Sequence, residues 1–110
     1  MGDVIRYVQT ATISSGGTYE TFYVHDPRGK PSRVGLISAS LESGTQTGVV
    51  QISIGNDVTN TAMIERFAFT ASNPCVALNP NFVIQPGMVI RFEFSSITAG
   101  DVACISVVGH

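Results

Sequence analysis

Met88-Val89-Ile90-Arg91-Phe92-Glu93-Phe94-Ser95 decides the fold of this chain. Met88, Ile90, Phe92 and Phe94 fall on one side of an extended strand, and Val89, Arg91, Glu93 and Ser95 fall on the other. Side chains of a strand alternate between its faces, so eight residues of strict alternation describe a strand with one buried and one wet face. The preceding Gln85-Pro86-Gly87 is a type II turn signal, because Pro fixes the first central φ and Gly tolerates a positive second one. Beyond the strand, residues 95–101 turn. Residues 102–108 form a last strand that sets Ala103, Ile105 and Val107 against Val102, Cys104, Ser106 and Val108. Both sides are largely apolar, so this strand is expected to be central or covered on its second face.

Moving toward the N-terminus, strands are expected over residues 4–13, 18–25, 34–41, 49–54, 62–71 and 82–84. They are punctuated by Ser14-Ser15-Gly16-Gly17, by the loop Asp26-Pro27-Arg28-Gly29-Lys30-Pro31, and by turns at 42–48 and 55–60. Residues 72–80 carry Asn73-Pro74 and Asn79-Pro80. Pro removes a donor and biases its predecessor to extended geometry, so this segment reads as a crossing loop with short extended pieces. In the 62–71 strand, Met63, Phe67 and Phe69 share a face with Glu65; that carboxylate either lies at a sheet edge or the register differs. Turns every 8–12 residues predict one all-β domain over residues 1–110. It is an antiparallel β-sandwich, jelly-roll-like, of about eight strands with no substantial helix.

Composition agrees. Val 13, Ile 10 and Thr 10 dominate, while Leu is 3 and Lys is 1. β-Branched residues suit strands and lose rotamer freedom in helices. The 110 residues and 11.6 kDa allow one domain. Charged residues make up 13% and hydrophobic residues 44%, where a globular domain carries about 25% charge. Ser 11, Thr 10, Asn 5, Gln 4 and Gly 11 take the place of the missing charge. This balance excludes a disordered tail and a charged helical bundle. Six cations with a net charge of -2 argue against nucleic acid as a partner. No apolar run reaches the roughly 20 residues of a membrane-spanning helix, so no membrane partner is expected. Met1-Gly2-Asp3-Val4-Ile5-Arg6 lacks a basic and an apolar region, so no signal peptide is expected. Low charge with Ser/Thr-rich outward positions points to faces that touch other protein, from copies of this chain or from a scaffold.

Catalytic constellations are sparse. His25-Asp26 is one adjacent pair, and the other histidine is His110. His25 reads as a strand-end residue beside an Asx turn. No nucleophile elbow, zincin or phosphate-loop pattern is present, and Gly44-Thr45-Gln46-Thr47-Gly48 reads as a hairpin turn. The acids stand singly. Asn56, Asp57 and Asn60 have oxygens suited to weak Ca²⁺ binding, though turn chemistry explains them more simply. No enzyme activity, catalytic residue, metal or cofactor is expected. Cys75 and Cys104 are either small buried hydrophobes or a disulfide.

Two clusters carry binding potential. Arg28, Lys30 and Arg33 place three of six cations within six residues on a loop stiffened by two prolines. They form either a solvated hairpin tip or a basic finger that docks on an acidic partner. Tyr19 and Tyr23 lie on one face of the second strand. They form either packing residues or a small stacking platform for a sugar.

The rhythm Asn79-Pro80-Asn81-Phe82-Val83-Ile84-Gln85-Pro86-Gly87-Met88-Val89-Ile90-Arg91-Phe92, with Val34-Gly35-Leu36-Ile37-Ser38-Ala39-Ser40-Leu41 before it, resembles the late and middle strands of small jelly-roll or sandwich virion proteins of tailed bacteriophages. Head-decoration and fibre-tip modules are of this kind. The resemblance implies a non-enzymatic structural protein, often a homo-trimer, made in the host cytoplasm without a signal peptide. It would act in the virion by clamping a major capsid or other virion protein. The alternative is a ligand- or receptor-binding β module at a fibre tip, or one that binds carbohydrate.

Overall fold

The computed structural model describes residues 4–110. Met1, Gly2 and Asp3, part of the stretch read above for a leader, lie outside the described residues. Nine strands follow in order: β1 (Ile5–Thr12), β2 (Gly17–Val24), β3 (Ser32–Ser43), β4 (Gly48–Asp57), β5 (Asn60–Phe69), β6 (Cys75–Leu78), β7 (Phe82–Ile84), β8 (Val89–Ile97) and β9 (Val102–Gly109). One sheet, here sheet A, runs β1-β9-β3-β6, with β7 also on β3. Sheet B runs β2-β8-β4-β5. All pairs are antiparallel.

The pairing is nested. β1 meets β9, β2 meets β8, β3 meets β6 and β7, and β4 meets β5. The first half of the chain is therefore retraced by the second half, alternating between two layers, which is a jelly roll. β6 and β7 act as one strand interrupted at Asn79-Pro80. Pro80 has no N–H for a ladder, and Asn81 adopts φ 51°, so pairing to β3 breaks and restarts.

This nesting corrects two local readings. Of consecutive strands, only β4 and β5 pair. The segment Gly44–Gly48 and the basic loop are therefore arches between layers, not hairpin tips. At Gly44 the arch presses on β9's approach: a Cβ there would lie 2.0 Å from Asp101 Oδ1, and φ is +84°, so glycine is required. Asp101 is fully buried. It accepts from Thr45 N at 2.9 Å and from Thr98 N at 2.9 Å, tying the β3–β4 arch to the β8–β9 turn.

The core lies between the sheets. Ile90, Phe92 and Phe94 of β8 are fully buried, as the alternation predicts, but the other side is not simply wet: Val89, expected there, is 2% exposed, and Met88 lies before the strand and is half-buried. Ile90, Phe92 and Phe94 meet Val50 and Ile52 on β4 and, across the layer, Ile37, Ala39 and Leu41 of β3 with Ile105 and Val107 of β9. Phe69 stacks on Phe94 at 6.1 Å. β9 is central in sheet A, as its two apolar sides required.

The 62–71 strand needs a correction. The register slips between Ile52↔Glu65 and Ser53↔Met63, so Ile64 is an extra residue in a β-bulge. A bulge reverses the alternation. Phe67 and Phe69 stay on the core side, while Met63 turns outward and is 57% exposed. Glu65 stands opposite Ile52 on β5, an edge strand, where its carboxylate still reaches water.

Candidate protein-contact surfaces

At one end of the sandwich β1 begins, β2 ends, β3 begins and β9 ends. Ile5 and Val34 both stand opposite Gly109, and Arg33 exchanges backbone hydrogen bonds with His110 at 2.8 and 2.9 Å. The arch from β2 to β3 crosses this end. Asp26 Oδ1 accepts from Arg28 N at 2.9 Å and Asp26 O accepts from Gly29 N at 2.9 Å, a side-chain-capped turn. His25 is buried beneath it. Its Nε2 lies 2.6 Å from Lys30 O, and a carbonyl only accepts, so Nε2 carries the proton. Nδ1 then accepts from the Tyr23 hydroxyl at 2.8 Å. Both ring nitrogens are engaged. His25 is an anchor for the arch, as the strand-end reading held, and has no free lone pair for a base.

Arg28, Lys30 and Arg33 are exposed on this anchored arch and its exit, and Arg33 Nη1 donates to Asn81 Oδ1 at 3.1 Å. The topology adds a cation that the sequence did not join to them. Arg6 stands opposite Val108, one row from the same end. Four of the six cations therefore gather at one end of a molecule 41 Å long. The opposite end holds Glu42 and the buried Asp101.

Tyr19 and Tyr23 stand opposite Phe94 and Ile90, which sets them on the core side of β2. Tyr19 lies 6.3 Å from the Phe94 ring, and Tyr23 lies 5.3 Å from Tyr7. Both are half-buried and packed against the core. The face they share is the inter-sheet face, so the packing reading describes them and the platform does not.

The two outer faces differ. On sheet B, Arg91 binds Glu20 and Glu93; its Nε donates to Glu20 Oε2 at 2.7 Å and its Nη2 to Glu93 Oε2 at 2.7 Å. The Glu20 hydrogen bond, with the charge of Glu93 nearby, raises the arginine's pKa further above its ordinary value. On sheet A the outward rows are Arg6–Val108–Leu36, then Val8–Ser106–Ser38–Ala77, then Thr10–Cys104–Ser40–Cys75, then Thr12–Val102. Charge stands only at the ends, with Arg6 and Arg33 at one and Glu42 at the other. Ser38 and Ser106 bond each other, Thr10 Oγ1 donates to Cys104 Sγ at 3.6 Å, and Ser40 Oγ donates to Glu42 Oε1 at 2.8 Å. A groove of about 580 Å³ opens at the Arg6 end, floored by Val4, Val8 and Val108.

Cys75 and Cys104 are free thiols on this same face, neither buried as small hydrophobes nor bridged. Each stands opposite Ser40, on either side of β3. Two strand spacings separate them by roughly 10 Å, beyond the roughly 7 Å limit for a disulfide. Asp57 caps the β4–β5 hairpin. Its carboxylate accepts from Thr59 N, Thr59 Oγ1, Asn60 N and Asn60 Nδ2 at 2.8–3.1 Å. These bonds, that from the Asn60 side chain first, lower its pKa to about 2. Turn chemistry thus accounts for the Asp57 cluster. Among the described residues no three His, Cys, Asp or Glu side chains gather around one point.

No protein-family model and no curated protein matches the sequence. Solved structures do match the fold. The mitogen derived from Yersinia pseudotuberculosis superposes with a TM-score of 0.52 and 13% identity, over 100% of this chain and 88% of that one. The Drosophila NLP core, described for pentamer formation and histone binding, gives 0.45 and 20% identity over 96% of each chain. A structure of infectious bursal disease virus, Gx strain, gives 0.41 and 17% identity, over 99% of this chain and 30% of that one. At 13% identity the mitogen supports the two-layer fold alone, and the other two superpose too loosely to add to it.

Proposed function

We propose that this chain is a non-enzymatic structural protein of a virus particle, a capsid decoration or cement subunit. It acts by protein–protein contacts with copies of itself and with a capsid or other virion protein. The carrying observation is the outer face of sheet A, where Ser38 bonds Ser106, Thr10 bonds Cys104 and Ser40 bonds Glu42, and where charge stands only at the ends. Internally satisfied hydroxyls lose little when a protein covers them, whereas unpaired ones are expensive to bury. The basic arch supplies a second contact, with Arg28, Lys30 and Arg33 suited to an acidic patch on a neighbouring virion protein.

Density-gradient centrifugation of particles from the lysed host, followed by immunoblotting for this chain, tests the reading. The chain is expected to band with the particles, and the Arg28→Ala/Lys30→Ala variant to bind stripped particles more weakly and with less salt dependence. A chain that stays at the top of the gradient at every input contradicts the proposal.

A further inference from the structure

The outer face of sheet A has a property beyond low charge: its two ends complement each other. Arg6 is exposed on β1 at one corner, and among the described residues it has no acid partner. Glu42 is exposed on β3 toward the opposite corner; Ser40 occupies its Oε1, and no cation reaches it among the described residues. Leu36, level with Arg6 across β9, lies six residues from Glu42. That is roughly 20 Å along the strand, so the two charges cannot meet within one chain.

We infer that this face pairs with the same face of a second copy about a two-fold axis, so that Arg6 of each copy meets Glu42 of the other. This rests on the reading of the face as a protein-contact surface and names its occupant. An isologous contact uses each complementary pair twice. An axis crossing β9 between Cys104 and Ser106 brings the Glu42 corner of one copy over the groove of the other, beside Arg6 and against Val4, Val8 and Val108. The central Ser, Thr and Cys side chains are short and already bonded, so two such surfaces approach closely without orphaning a polar group. Strand spacing and rise give a face of about 500 Å² per copy, about 1,000 Å² in the pair, the lower bound for a specific interface. The dimer is therefore weak. On sheet B, Glu20 and Glu93 are both already engaged by Arg91 within the chain, so its central charges are less free for a second copy. The symmetry is two-fold, in contrast to the trimer that the resemblance to phage proteins implies.

Sedimentation velocity on the full chain across a concentration series tests the pairing. Wild type is expected to show a reversible monomer–dimer equilibrium. Arg6→Glu and Glu42→Arg each weaken it about tenfold or more, since two ion pairs become repulsive, and the double variant restores it. A monomer at all concentrations, a dimer indifferent to the single exchanges, or a double variant no better than either single overturns the inference. Melting curves establish that each variant is folded. A second measurement avoids charge changes. A short bis-maleimide should trap a covalent dimer in wild type and Cys75→Ser but not in Cys104→Ser; trapping through Cys75 alone contradicts the axis. These readouts use no particle, so their failure leaves particle association to be judged by its own gradient.

Discussion

The two sheets share one core and finish their outer faces in opposite ways. Sheet B carries the half-buried Arg91 clasped by Glu20 and Glu93 at its centre, with Gln51 and Arg66 beyond. Sheet A carries Ser, Thr, Cys and Val in rows, with hydroxyls that bond sideways. Each sheet contributes buried residues to that core, Ile37, Ile105 and Val107 from sheet A and Ile52, Phe92 and Phe94 from sheet B. The contrast teaches that the two faces place their charge differently, across the middle of sheet B and only toward the ends of sheet A, whose uncharged centre is the part a partner can cover cheaply.

Removing what the faces share gives the largest effect. Phe94→Ala should destabilise by about 3–5 kcal/mol in chemical denaturation, because a fully buried ring that stacks on Phe69 leaves a cavity between both sheets. The transition should stay single, since the layers fold as one core. Next, Arg91→Ala on sheet B leaves Glu20 and Glu93, which stand directly opposite each other, unneutralised. A loss of about 1 kcal/mol is expected, smaller in high salt.

Much of this was legible from residues 88–95 and 102–108. Alternation placed Ile90, Phe92 and Phe94 in the core but missed Val89, buried from the other side, and two apolar sides fixed β9 as central. The Pro-Gly turn sits where it was read, with Gly87 at φ 86°. What the sequence hid depends on distant partners. Nothing local in Gly44–Gly48 tells a hairpin from an arch; that depends on β3 joining β9 and β4 joining β8. The bulge at Ile64 adds one residue without any Gly or Pro to mark it. Asp101 reads as a turn aspartate and is one, but its burial comes from Thr45, 56 positions away. Arg6 reached the basic end only through its pairing with Val108.

On sheet A, Ser38→Ala should change stability by no more than about 0.5 kcal/mol, because Ser106 is half-exposed and water can replace its lost partner. A large loss would mean that this face holds the fold together and is not spare for a partner. The smallest effect shows as a pH dependence confined to acid. Asp57 has its folded pKa lowered from 3.8 to about 2, so its contribution is complete above about pH 4 and is lost as pH falls toward 2. Denaturation midpoints of Asp57→Asn should lack the acid-side slope that wild type shows in that window.

The comparison of faces is tested most directly by one matched pair of substitutions read by sedimentation velocity. Ser106→Lys places a charge at the centre of the sheet A face, and Gln51→Lys places one at the centre of the sheet B face. The Ser106 variant should sediment as a monomer where wild type associates, and the Gln51 variant should associate as wild type does. Association lost in the Gln51 variant and kept in the Ser106 variant would contradict the assignment of sheet A as the contact face.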